Sequence, residues 1–316
     1  MPDGGITHRT DHLPMPDGVR VATYTWLPEN GAPRAIVQIA HGAAEHARRY
    51  DRFARFLAEH GYAVVASDHR GHGATAESTG GFGVVGEEGD SWRAIVSDLR
   101  AIGDRARAAH PHAPLVLLGH SMGSMLARDC AQEYGEELAG LILSGTFRSL
   151  PGTETEAALE GIAQEIAERG RTAPSTFTPT LFASFNDPYE SLQNRTGFEW
   201  LSRDPAEVAA YAADERCGFA FSAGLSLDWV RGVRKINDPR HQARIPAALP
   251  VHLAVGTEDP CNQGMTLVYE LLEDFRYGGT RELSWKGYQG ARHEILNETN
   301  RDEVQQDLLT WLEKHL

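Results

Sequence analysis

The chain has 316 residues, of which 41% are hydrophobic and 23% charged, and a formal net charge of −14. That length suits one large α/β domain with an insertion, or two small domains. The acidic balance excludes a nucleic-acid partner and charge-driven docking on anionic membrane, but leaves room for apolar contact with single lipid molecules. The three cysteines, Cys130, Cys217 and Cys261, are odd in number and widely spaced, so they form neither a disulfide framework nor a zinc motif. Met1 to Pro16 has no apolar signal core and no stretch reaches membrane-span length, so a cytoplasmic location is expected.

In chain order, Thr7–Leu13 and Val19–Trp26 flank Pro14-Met15-Pro16-Asp17-Gly18, a hairpin signature. After a turn at Pro28-Glu29-Asn30-Gly31, Ala35–Ala40 is expected to be a buried strand. Tyr50, Phe53, Ala54 and Leu57 recur at helical spacing and stop at Gly61, a C′ glycine. Tyr62–Ala66 is the next strand. Trp92, Ile95, Leu99, Ile102 and Ala106 mark a helix closing near Pro111, and Leu115–Leu118 and Leu141–Leu143 are strands around a helix from Ser124 to Tyr134. Apolar runs alternating with amphipathic helices predict an α/β fold with a mostly parallel sheet covered on both faces.

That rhythm breaks between Arg148 and Arg244. Leu159, Ile162, Ala163 and Ile166 make one helical face, with Thr153 and Glu156 as a capping box; Asp204-Pro205-Ala206-Glu207 offers a better one. The segment holds helices, no convincing buried strand, and many aromatics, including Phe177, Phe182, Phe185, Phe198, Trp200, Tyr211, Phe221 and Trp229. These fill a small core of the insertion's own or line an apolar pocket over the sheet. Sheet rhythm resumes at Leu249–Val255, a helix follows near Thr266–Phe275, then Glu282–Tyr288 and a C-terminal amphipathic helix through Leu308, Leu309 and Leu312.

Gly119-His120-Ser121-Met122-Gly123 sits between strand and helix, the spacing of a nucleophile elbow. The turn strains the serine outward, and its flanking glycines allow strand and helix to cross. A serine nucleophile needs a base and a group that fixes the base's tautomer, in the order serine, acid, histidine. Asp259 follows the strand ending at Val255, and His293 follows the last strand. Asp259 would otherwise be a turn or helix-cap residue, and Glu258 is a rival acid one position earlier. Among rival histidines, His252 and His60 read as structural, and no strand leads into His241. An oxyanion hole would use the backbone N–H of Met122 and, from His41-Gly42-Ala43-Ala44, that of Ala43, with His41 bonding backbone. Asp68-His69-Arg70-Gly71-His72-Gly73 reads as a structural loop, since it lacks zinc-motif spacing and a phosphate-loop lysine. No metal ligands and no cofactor are assigned.

Together, His41-Gly42-Ala43-Ala44-Glu45-His46…Arg49-Tyr50, Asp68-His69-Arg70-Gly71-His72-Gly73, the elbow, Gly256-Thr257-Glu258-Asp259 and Arg292-His293-Glu294 resemble the monoacylglycerol lipase and lysophospholipase group of α/β-hydrolases, from about Asp17 to the C-terminus. The resemblance implies a triad of Ser121, Asp259 and His293, and oxyanion donors Ala43 and Met122. It implies a core of residues 1–147 and 245–316 with a helical cap at 148–244. Glu45 and Arg49 would face the alcohol or headgroup side, and Phe182 and Phe185 the acyl side. Ala44 stands where the family often has glycine, Gly123-Ser124 replaces a common Gly-Gly, and Leu296 stands where some lipase relatives carry a second histidine. These departures bear on the headgroup and leave the hydrolytic chemistry intact.

The expected protein is a soluble serine esterase cleaving single-chain acyl esters such as monoacylglycerol or lysophospholipid through an acyl-enzyme. Its partner is a small lipid-like ester, with transient membrane or micelle contact through the cap and oligomeric state left open. The alternatives are an amidase or N-terminal (proline-type) serine aminopeptidase, for which Asp214 and Glu215 could grip a substrate amine, and a non-catalytic binding protein on the same fold.

Overall fold

The computed structural model describes residues 6–29, 31–149, 156–192 and 195–316. Asn30 of the second turn and Thr153 of the first capping box lie outside them. Strands β1 (Thr7–Pro14) and β2 (Arg20–Leu27) form the expected antiparallel hairpin, Thr7 opposite Leu27. The chain continues through β3 (Ile36–Ala40), α1 (Asp51–Glu59), β4 (Ala63–Ser67), α2 (Ser91–Ala109), β5 (Leu115–His120), α3 (Met122–Tyr134) and β6 (Gly140–Ser144). After an excursion of helices come β7 (Val251–Gly256), α9 (Thr266–Tyr277), β8 (Leu283–Tyr288) and α10 (Arg301–His315).

The eight strands make one sheet in the order β1-β2-β4-β3-β5-β6-β7-β8, antiparallel at β1, β2 and β4 and parallel thereafter. Strands β3 to β7 are buried on both faces, which is why they read as continuous apolar runs rather than alternating ones. One face packs with α1 and α10, where Phe53, Leu57, Leu308 and Leu312 are buried, and the other with α2, α3 and α9. Gly61 ends α1 as expected: at φ +86° it lets Tyr62 N–H reach back to Leu57 O at 3.1 Å.

Between β6 and β7 lie α4 (Glu156–Arg169), α5 (Phe177–Asn186), α6 (Pro205–Ala213), α7 (Ala223–Ile236) and the short α8 (Pro239–Gln242), with no strand among the described residues of this stretch. Ile162, Leu159 and Ile166 of α4 pack on Ala223, Leu227 and Val230 of α7, while Ala163 faces out. Asp204 caps α6 through Ala206 N–H at 3.0 Å. Glu207, expected to complete a capping box, instead reaches Arg52 at 2.7 Å, since an ion pair across to α1 competes successfully for its carboxylate. The aromatics do not build a separate small core. Phe182, Phe185, Trp200, Tyr211, Phe221 and Trp229 join the cluster that includes Met122, Met125 and Leu143. Among the described residues no helix is long and apolar enough to cross a membrane.

Candidate active site

The C-terminal ends of the parallel strands deliver the predicted residues to one place. Ser121 sits where β5 turns into α3, at φ +53° and ψ −121°, a conformation that non-glycine residues rarely hold. The elbow glycines are there for space. A Cβ on Gly119 would overlap the Gly123 carbonyl, and one on Gly123 the carbonyls of Ala40 and His41. Thus α3 is drawn down onto β3, and the serine side chain is lifted toward a cavity lined by Gly42, Ala43, Phe147, Phe182, Trp200 and His293, among others.

Asp259 and His293 meet across 34 residues of chain, His293 Nδ1 lying 2.8 Å from Asp259 Oδ2. The turn reading of Asp259 also holds, for its other oxygen accepts Cys261 N–H at 2.9 Å and caps a short 3-10 turn. One carboxylate therefore does both jobs. Glu258 is exposed and is tied down through its backbone, its N–H donating to Ala291 O at 3.0 Å and its carbonyl accepting from Tyr189 Oη at 2.7 Å. The rival histidines are occupied: His252 bonds Ser284 Oγ at 2.9 Å, and His60 bonds Phe56 O at 2.7 Å. His241 lies in α8, away from the cavity lining.

His293 is 1% exposed, and its Nε2 has no hydrogen-bond partner. With Nδ1 held by Asp259, the free nitrogen is the one able to accept a proton. Burial pulls this imidazole down, but the carboxylates of Asp259, Glu294 and Glu45 outweigh it and hold it above its ordinary value. Neighbouring His120, its ring 4.8 Å away, is pushed down to about 3 by burial and by His293, so it stays neutral. The indole nitrogens of Trp200 and Trp229, which also line the cavity, are likewise buried without partners.

The loop after β3 brings Ala43 to the same cavity. His41 bonds backbone as expected, its Nδ1 against Gly42 O at 2.8 Å and its Nε2 accepting His69 N–H at 2.9 Å. Ala44 holds φ +50°, in the left-handed region that favours glycine. That costs about 1–2 kcal/mol. Its buried methyl and the smaller entropy of an unfolded alanine offset part of that cost. The Asp68–Gly73 loop is structural: Asp68 accepts Ala47 N–H at 2.9 Å, Ala74 N–H at 2.8 Å and Tyr24 Oη at 2.8 Å.

The two residues assigned to the headgroup side separate. Glu45 lines the cavity, whereas Arg49 stands behind it. Arg49 is gripped by Glu45 at 2.7 Å and by Glu294 at 2.5 and 2.7 Å, with its guanidinium 4.8 Å from the Tyr211 ring centre. Burial raises Glu45, while Arg49 overcomes burial at Glu294 and pulls it down to about 2. Trp200, Tyr211 and Trp229, named from sequence as either core or pocket aromatics, line the cavity, whereas sequence reasoning missed Glu294 and Phe147 as cavity residues. The aromatic richness of 148–244 was the signal for the first three, and nothing local marks Glu294. Two groups among the described residues have the donors for a metal ion: Asp259, Cys261 and His293, and, outside the cavity lining, His46, Asp214 and Cys217.

A serine elbow, a carboxylate-held histidine and a mostly parallel eight-stranded sheet define an α/β-hydrolase. The sequence pattern of the family described as serine aminopeptidase, S33 (Hydrolase_4) matches residues 31–300, and the chain belongs to this family. It is similar to the monoacylglycerol lipase of Mycolicibacterium smegmatis, 28% identical over 303 residues covering 95% of each protein. The human monoglyceride lipase is 28% identical over 292 residues, covering 91% of this chain and 84% of that protein. A thermostable carboxyl esterase from Bacillus coagulans, solved in complex with glycerol, superposes with a TM-score of 0.88 at 28% identity over 98% of both chains. These relationships support a serine ester hydrolase and do not favour the amidase or aminopeptidase alternative.

Proposed function

We propose that the protein hydrolyses single-chain acyl esters of the monoacylglycerol or lysophospholipid class. Ser121 Oγ attacks the ester carbonyl while His293 Nε2 takes its proton, and Asp259 holds the imidazole in the tautomer that leaves Nε2 free. Met122 and Ala43 N–H groups receive the developing oxyanion, worth about 3–4 kcal/mol of barrier per donor. The same histidine protonates the leaving alcohol, and water then attacks the acyl-enzyme with His293 again as base.

The observation that carries this reading is the buried, unpartnered Nε2 of His293 in a cavity shared with Ser121, beside a carboxylate that fixes Nδ1. Phe147, Phe182, Phe185 and Leu201 supply the apolar wall for an acyl chain. Glu45, backed by Arg49, supplies the polar side for the alcohol. For an aminopeptidase, the expected amine grip is missing from the lining: Asp214 is held by Arg216 and His46, and Glu215 is exposed.

Residues 148–244 act as a cap. The cavity measures about 20 Å³, room for roughly one water, against the ~300 Å³ or more of a ligand pocket. An acyl glycerol can enter only if these helices part from the core. Micelle contact through them would be the natural trigger. Ser121→Ala should abolish ester turnover and fluorophosphonate labelling with circular dichroism unchanged. A chain-length series of acyl esters should show a clear kcat/KM optimum, since each methylene in an apolar pocket is worth about 1 kcal/mol or more. Retained activity in the variant, or faster turnover of aminoacyl amides than of acyl esters, would overturn the proposal.

A further inference from the structure

The segment joining α6 to α7 is stitched to the core beside the oxyanion loop. Gly218 N–H and Tyr211 Oη both donate to Ala44 O, at 2.9 and 2.8 Å. One turn earlier, Cys217 N–H donates to Asp214 O at 2.9 Å, which brings the side chains of an Asp-x-x-Cys stretch together. From the core, His46 points at the same spot, its Nε2 3.0 Å from Asp214 Oδ2. Donor atoms of His46, Asp214 and Cys217 all lie within 4.8 Å of one another.

Imidazole nitrogen, carboxylate oxygen and thiolate sulfur are the donor set of zinc and related thiophilic dications. Ligands of a tetrahedral zinc stand roughly 3.3–3.7 Å apart, so the His46–Asp214 spacing is close to that and the sulfur, within 4.8 Å of both, has at most about 1 Å to move. Arg216 competes for the carboxylate, through Nε to Oδ1 at 2.9 Å and Nη2 to Oδ2 at 2.7 Å. A dication takes Oδ2 and leaves the Oδ1 contact in place. His46 is buried, whereas Asp214 and Cys217 are partly exposed, so an ion can reach the set from solvent.

We propose that His46, Asp214 and Cys217 bind Zn2+, and that the bound ion latches the helical insertion onto the oxyanion loop and keeps the active-site cavity shut. This rests on reading residues 148–244 as a cap over a hydrolase site. On binding, the Cys217 S–H bond breaks, the sulfur–metal bond forms and the proton leaves to water. His46 binds through Nε2 with its proton on Nδ1, and a water completes the tetrahedron. Two of the three protein ligands come from the insertion and one from the core, so the metal bonds cross the seam that must open for substrate. No sequence motif announces the set, because His46 and Asp214 are 168 residues apart.

The test uses the full chain, with Cd2+ as spectroscopic probe and Zn2+ as inhibitor of p-nitrophenyl butyrate hydrolysis. The expected result is one Cd2+ per chain with a thiolate charge-transfer band, and at least tenfold slower turnover in Zn2+ that a chelator reverses. Cys217→Ser and Asp214→Asn should each remove the band and the inhibition while keeping metal-free activity. Failure of the wild type to bind either ion would refute the site. So would equal binding and inhibition in Cys217→Ser, which would move the ion to Asp259, Cys261 and His293. A Cys217-dependent band without inhibition would overturn the latch alone. If the metal-free protein fails to label with fluorophosphonate, it is the hydrolase reading that falls, independently of the metal.

Discussion

Glu294→Gln tests the link between the buried arginine and the proposed base. In the wild type, Arg49 is shared by two carboxylates, with two contacts of 2.5 and 2.7 Å to Glu294 and one of 2.7 Å to Glu45. Breaking a buried ion pair by removing one partner costs about 3–5 kcal/mol. Arg49 keeps Glu45, and a glutamine oxygen can still accept one bond, so a loss of about 3 kcal/mol is expected, roughly a hundredfold in the folding equilibrium. The same substitution removes one of the negative charges that raise His293. Since the histidine must be neutral to act as base, the acid limb of the kcat/KM profile should move to lower pH. Urea melts and a pH–rate profile on the purified variant measure both effects. A stability change under 0.5 kcal/mol, or an acid limb that stays put or moves upward, would refute the coupling.

Four further outcomes follow from the geometry. Asp259→Asn keeps an oxygen for Cys261 N–H but no longer fixes the His293 tautomer, so kcat should fall by roughly 10⁴ while the circular dichroism stays native. Gly123→Ala drives a methyl into the carbonyls of Ala40 and His41 and should cost about 3 kcal/mol in urea denaturation; a native-like midpoint would contradict the packing described for the elbow. Tyr211→Phe removes the hydroxyl that donates to Ala44 O and accepts from Gly218 N–H, and should lower stability by about 1–2 kcal/mol. In acid, Glu294 is held below its ordinary 4.5 at about 2, so the stability it contributes is complete above 4.5 and is lost as pH falls toward 2. Glu45, raised chiefly by burial, works in the opposite direction. The Glu294→Gln protein should therefore lose less stability than wild type over that interval, as read by urea midpoints across pH.

What the sequence determined by itself are the features that local physics writes locally. Parallel strands buried on both faces leave apolar runs, helices on a sheet leave periodic ones, and the crossing of β5 and α3 demands glycine at positions 119 and 123. Chain order then singled out Asp259 and His293 as candidates, because each follows a strand, and the structure brings them within 2.8 Å. Only the tertiary structure decided among side chains whose partners are remote. It showed Asp259 acting as turn cap and histidine partner at once, and Glu207 turned from its helix toward Arg52. It set Arg49 behind Glu45, held by a Glu294 that lies 245 residues away. It also merged the insertion's aromatics with the main core and closed the cavity to about 20 Å³. Periodicity encodes which face of an element is apolar. Which other apolar face it meets, and which charges are trapped between them, depends on contacts between segments that the order of residues does not specify.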